Sequence, residues 1–321
     1  MIIMSVLSLV LGFALLLGGA NLLVFGATSF AKKLGLSPLF IGLSVVALGT
    51  SLPELMVNIH ASFKGHADVA IGNILGSNIA NVLLVLGISS LIKPLLIKRE
   101  VVFHELLLFV LATILFLGCI YIYPFLFGSP VGLYAGGGIL LLLFLGLFLR
   151  LTMSSSAYPK EVYREDTHQD SFFKPFLQVA IGSLCLAYGG STVVESATSI
   201  AVHAGMSDSV IGLTILALGT SLPELATSVV AAYKNNVSLA LGNVVGSNVI
   251  NLTLVLGISS FITDLRFSQQ LLQDLFVVIL VSVLLFLCMF VGKRYELKRW
   301  QGGVFVALYV IYIGTLFFRI S

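Results

Sequence analysis

The chain has 321 residues, of which 58% are hydrophobic and only 10% charged, with a mean hydropathy of +1.10. A soluble domain is about one quarter charged, so the composition excludes a soluble globular domain. Apolar runs of about 20 residues also exclude a β-barrel, whose strands alternate over about 10. The formal charge of +3 is small, and only its distribution along the chain carries information.

The first apolar run, 2–31, has no Lys or Arg before Lys32 and is too long for a signal peptide, so it reads as a first membrane helix. The second, 38–63, contains GLSVVALGTSLPEL at 42–55, and the third, 69–92, contains GNILGSNIANVLLVLGISS at 72–90. Runs at 103–123 and 129–150 complete a group of five, the first repeat, over 1–150. The polar stretch 151–171 holds four acids and a serine run, and reads as a solvated linker rather than a regulatory cation site. A second group over 172–321 follows, with spans at 172–202, 209–233, 239–262, 272–291 and 301–319. It carries GLTILALGTSLPEL at 212–225 and GNVVGSNVINLTLVLGISS at 242–260, each offset by 170 residues from its counterpart. Cys119, Cys185 and Cys288 lie in apolar runs without metal or disulfide spacing and read as packing residues.

The sequence therefore predicts an all-α membrane protein of ten transmembrane helices. With the N-terminus outside, the outer segments hold only Lys64, Arg266 and Arg319 of the 17 Lys and Arg residues. The remaining fourteen fall inside, which places both termini outside and the linker in the cytoplasm. Five spans per half make the second half enter the membrane from the opposite side. The halves are then inverted-topology repeats, an arrangement of secondary transporters that bind substrate near the midplane.

Each repeat puts one carboxylate, Glu54 or Glu224, into an apolar segment. An intramembrane acid is costly and points to function. In GTSLPE, Pro53 cannot donate to the carbonyl of Gly49, so the helix must bend and free backbone carbonyls. Thr50 and Ser51 add hydroxyls, and Glu54 lies one turn beyond Thr50 on the same face. Thr220, Ser221, Pro223 and Glu224 repeat the set. Asn73, Ser77 and Asn81 form a polar stripe at four-residue spacing, repeated by Asn243, Ser247 and Asn251. Only oxygen ligands are on offer, and no His or Cys lies near either motif; hard cations such as Ca²⁺ and Na⁺ take such ligands. Glu105, Glu195, His60, His104 and His203 sit toward the ends of their spans and read as interfacial.

GTSLPE together with GNxxGSNxxN, present twice across nearly the whole chain, resembles the cation/calcium antiporter superfamily, in its sodium/calcium exchanger branch. The resemblance implies a Ca²⁺/Na⁺ antiporter of the cell membrane that works by alternating access. It implies Glu54 and Glu224 as shared central ligands, with the carbonyls of Thr50 and Thr220 completing a calcium position. Sodium positions would use Ser51, Ser77 and the Ala47 carbonyl on one side, and Ser221, Ser247 and the Ala217 carbonyl on the other. Asn81, with its counterpart Asn251, would line the middle, and the first helix of each half, 2–31 and 172–202, would slide across the rest. Many such exchangers carry an aspartate in one repeat where this chain has Asn at both 81 and 251, so the site holds two formal charges rather than three. The coupling ion stays open between Na⁺, H⁺ and K⁺. A cation channel is disfavoured, because both carboxylates arrive in one duplicated chain. An intramembrane metalloprotease is disfavoured by the lack of HExxH. The expected partners are the two transported ions and the bilayer, with no cofactor, nucleic acid or obligate protein partner.

Overall fold

The computed structural model describes residues 2–155, 172–204, 206, 217–292 and 295–320. The linker from 156 to 171 and the 209–216 part of one predicted span lie outside the described residues. The described residues are mostly helical: α1 Ile2–Leu34, α2 Pro38–Thr50, α3 Leu52–Phe63, α4 Ala67–Ile92, α5 Arg99–Phe127 and α6 Ala135–Ser155 form the first half. The second half has α7 Phe173–His203, α8 Leu222–Tyr233, α9 Val237–Ile262, α10 Gln269–Cys288 and α11 Arg299–Ile320. Among the described residues seven helices are long and apolar enough to cross a membrane, or eight if the α2–α3 pair, bent by 47°, is one span.

The bend falls where Pro53 demands it. Ser51 leaves the helical register (φ −83°, ψ 6°), and Pro53 lies in the first turn of α3, where its missing N–H costs nothing. The second copy does the same: Ser221 sits at φ −86° and ψ 1° ahead of Pro223 and α8. Both central helices also loosen into π turns, Asn81–Leu86 in α4 and Asn251–Val255 in α9, each starting at the asparagine that ends the polar stripe. Such turns recur at functional sites because they re-aim side chains.

The first helices of the two halves lie antiparallel. Gly12, Gly19 and Gly26 of α1 meet Gly189, Gly182 and Pro175 of α7 in turn. A Cβ on Gly19 would stand 2.8 Å from Cys185 Cβ and 2.9 Å from the Gly182 carbonyl, so only glycine permits this approach. Behind this pair, α4 and α9 are the most enclosed spans and are buried nearly all round. Leu16, Leu23, Leu186 and Val193 fill the α1–α7 seam, while Ile71, Ile74, Val245 and Val249 fill the centre. The outward faces are apolar, with Leu7, Leu11 and Leu17 of α1 and Phe125 of α5 exposed, as lipid contact requires.

Two small β pairings, which the hydropathy pattern does not reveal, tie the halves together. Strand β1 (Leu95–Leu96) runs antiparallel to β4 (Glu296–Leu297), and β2 (Gly132–Leu133) to β3 (Leu265–Arg266). Each is two residues long, and each joins a loop of one half to a loop of the other.

Candidate cation site

The two bent segments and the two stripe helices meet at the centre of the fold. Glu54 and Glu224 are fully buried there, with Ser51, Ser77, Asn81, Ser221, Ser247 and Asn251 around them. One oxygen of each carboxylate is held by hydroxyls. Ser77 donates to Glu54 Oε1 at 3.1 Å and itself accepts from Ser221 Oγ at 3.2 Å. Glu224 Oε1 accepts from Ser51 at 3.3 Å and from Ser247 at 3.4 Å. Ser51 belongs to the first half and Glu224 to the second, so the first half supplies a hydroxyl to the second half's carboxylate, whereas Glu54 is held by Ser77 of its own half.

The other oxygens are left bare. Glu54 Oε2, Glu224 Oε2, Asn81 Oδ1 and Asn251 Oδ1 are buried and meet no hydrogen-bond donor among the described residues. A buried acceptor without a donor is destabilising by about 1–3 kcal/mol, more when charged. Four of them, two carboxylate and two amide oxygens drawn as equivalent pairs from the two repeats, are atoms of the type that hard cations take. Among the described residues no group of three or more His, Cys, Asp or Glu exists that would suit a transition metal.

The flanking contacts are paired between repeats but differ in enclosure. Thr50 donates to Asn243 Oδ1 at 3.0 Å, and Thr220 donates to Asn73 Oδ1 at 3.3 Å. Thr50 and Asn243 are fully buried, whereas Thr220 and Asn73 are only half-buried. On the sealed side α9 presses against α2. A Cβ on Gly246 would lie 2.6 Å from Leu43 Cα and 2.7 Å from Ala47 Cβ. The flank at Thr50 and Asn243 is thus closed, while the one at Thr220 and Asn73 is half-buried. The Ala47 carbonyl, next to the closed flank, lies 3.3 Å from the Thr50 hydroxyl and 3.5 Å from that of Ser247, as alternatives to their shorter bonds to Asn243 and Glu224. Ala217 opens the short turn before Thr220.

This geometry has close relatives. A profile of the sodium/calcium exchanger protein family matches residues 4–153 and 174–318. The chain belongs to the sodium/calcium exchanger family. Sodium/calcium exchanger MaX1 of Methanosarcina acetivorans is 33% identical across 99% of this chain and all of the relative. The inner membrane protein YrbG of Escherichia coli is 31% identical across 96% of this chain and 95% of its own. Among solved structures, the sodium-calcium exchanger NCX_Mj soaked with 10 mM Na⁺ and zero Ca²⁺ superposes with a TM-score of 0.84. Its identity is 32%, covering 98% of this chain and 100% of that one. Exchangers of this family are transporters, and this chain is one rather than an enzyme.

Several residues of this exchanger's centre escape the stripe pattern. Asn58 donates to the Ala70 carbonyl at 2.9 Å and accepts from Asn73 at 2.8 Å, and Ser228 accepts from Asn243 at 3.0 Å. They stand one turn past Glu54 and Glu224 and differ by the same 170 positions, but differ in residue type, so an identity search passes over them. Asn78 and Asn248 also lie at the centre, fully enclosed. They share the duplicated GSN with Ser77 and Ser247 yet fall off the four-residue stripe.

The remaining acids separate. Glu195, His60 and His203 are exposed, as expected of interfacial groups. Glu105, near the start of α5, is buried against neighbouring helices, with His104 Nδ1 3.4 Å away. It lines a cavity of about 490 Å³ between the starts of α2, α5 and α9, which includes none of the cation-site residues.

Proposed function

We propose that the protein exchanges Ca²⁺ for Na⁺ across the cell membrane by alternating access at the Glu54–Glu224 centre. The observation that carries this is the set of four bare, buried oxygens on Glu54, Glu224, Asn81 and Asn251. Two carboxylates balance one divalent ion, and the carbonyls of Thr50 and Thr220 would raise the oxygen count to six, within the usual calcium range. Sodium would sit to either side, on Ser51, Ser77 and the Ala47 carbonyl, and on Ser221, Ser247 and the Ala217 carbonyl. Calcium and sodium then compete for the same carboxylates, so occupancy by one expels the other. The ions are substrates, and no cofactor is involved.

The working architecture is ten spans in two inverted five-helix repeats, 1–150 and 172–321, joined by the cytoplasmic linker 151–171. The antiparallel α1–α7 pair and the contacts repeated at an offset of 170 residues support it. With both termini outside, the half-buried flank at Asn73 and Thr220 faces the exterior, and the Gly246–Leu43 seal faces the cytoplasm. Exchange of the half-buried and closed flanks, with α1 and α7 sliding across the core, would carry ions over.

The test is ⁴⁵Ca uptake into proteoliposomes with Na⁺, K⁺ and H⁺ gradients imposed separately. Uptake should follow an outward sodium gradient. Uptake driven by a proton or potassium gradient, with sodium absent, would overturn sodium coupling. Uptake with no counter-ion would indicate a channel.

A further inference from the structure

An asparagine amide presents an oxygen on one edge and an NH₂ on the other. Turned one way it attracts a cation, and turned the other way it repels one. Asn81 and Asn251 each offer Oδ1 as the bare atom, so something must hold their amides in that sense. The holding groups are visible. Asn81 Nδ2 donates to Asn248 Oδ1 at 3.0 Å, and Asn251 Nδ2 donates to Asn78 Oδ1 at 3.2 Å, with a longer contact of 3.4 Å to Ser77 Oγ. The orientation of the second pair is fixed in turn by backbone. Asn248 Nδ2 donates to the Asn78 carbonyl at 3.4 Å, and Asn78 Nδ2 donates to the Asn248 carbonyl at 3.2 Å.

The order of constraint matters. A backbone carbonyl only accepts, so it admits one sense of the Asn248 amide. That sense turns Asn248 Oδ1 toward Asn81. Asn248 Oδ1 also only accepts, so it admits one sense of the Asn81 amide, with NH₂ toward Asn248 and Oδ1 left bare. Reversing Asn81 would oppose two acceptor oxygens at about 3.0 Å in a fully buried setting. The same sequence runs from the Asn248 carbonyl through Asn78 to Asn251. Each repeat thus orients the other's asparagine.

We propose that Asn78 and Asn248 are positioning residues, which fix the amides of Asn251 and Asn81, respectively, so that both Oδ1 atoms face the transported cation. The proposal rests on the reading of Asn81 and Asn251 as ion ligands. It adds a crossed dependence: Asn248 serves Asn81, and Asn78 serves Asn251. Asn78→Leu leaves the residue-78 carbonyl in place, so the Asn248–Asn81 link survives it.

The experiment is a pair of double-mutant cycles read as the half-saturating calcium concentration for uptake into sodium-loaded proteoliposomes. Asn81→Leu and Asn248→Leu should each raise it by roughly tenfold, the worth of one lost ion–dipole contact. The double variant should be no worse than either single one. Asn248→Leu combined with Asn251→Leu should instead multiply the two losses, and the Asn78 cycles should show the reverse pattern. If Asn248→Leu weakens calcium equally with and without Asn81, its role is structural and the proposal fails. A near wild-type value for Asn81→Leu itself would instead remove Asn81 from the site, a failure of the ligand reading and not of the orientation argument. Thermal melting in detergent checks folding, and Asn248→Ala and Asn78→Ala carry the same cycles should a leucine variant not fold.

Discussion

Glu54→Gln isolates charge from shape. Glutamine keeps an oxygen for the Ser77 hydroxyl, which now bonds Glu54 Oε1 at 3.1 Å. Its NH₂ takes the place of Oε2, an atom that meets no donor among the described residues, so no hydrogen bond of the fold is lost. What changes is the balance at the centre. With calcium bound, a site of two carboxylates is neutral, and with one carboxylate it holds an uncompensated positive charge in a fully buried place. Leaving a buried charge without its partner costs about 3–5 kcal/mol. Calcium affinity should therefore fall by roughly two to four orders of magnitude. Glu224→Gln should do the same, since its Oε1 is held by Ser51 and Ser247 and its Oε2 is bare. The assay is sodium-driven ⁴⁵Ca uptake in proteoliposomes, with melting of the ion-free proteins measured alongside. The ion-free variants should melt close to the parent, because the Oε2 atoms that are replaced make no hydrogen bond among the described residues. A variant that keeps calcium affinity within about threefold, or one that loses affinity only by unfolding, would refute the shared-carboxylate account.

The closed flank should resist bulk. Gly246→Ala forces a methyl against Leu43 and Ala47, and should lower stability by about 1–3 kcal/mol in thermal melts; a melting temperature equal to the parent's would contradict the tight seal. Ser77→Ala and Ser247→Ala should weaken sodium dependence by roughly three- to tenfold while leaving calcium/calcium exchange less affected, because calcium relies on the carboxylates. Equal loss of both activities would remove the hydroxyls from the sodium positions. A cysteine at Ser154, at the exposed end of α6, should resist impermeant thiol reagents added outside intact cells once Cys119, Cys185 and Cys288 are replaced. Rapid labelling from outside would invert the topology.

Sequence alone determined where oxygen chemistry and helix breaks fall. Hydropathy marked the spans because a backbone in lipid must satisfy itself over about 20 residues. Pro53 and Pro223 marked the bends because proline cannot donate within a helix, and both breaks lie at the preceding serine. Duplication marked Glu54 and Glu224 as a pair. Span ends differed by up to six residues, as where 129–150 begins instead at Ala135, because an apolar loop end reads like a helix. Three further features were decided by tertiary structure. Glu105 is covered by neighbouring helices that its own span cannot reveal. Thr50 and Asn243 are fully buried while their counterparts Thr220 and Asn73 are half-buried, so the difference lies in packing and not in residue type. Asn78 and Asn248 stand in the duplicated GSN, but they pair across 170 residues through backbone carbonyls, groups every residue carries, so no pattern of side chains announces their pairing. A sequence states which atoms are present, whereas the sense of an amide depends on which acceptor the fold sets opposite it.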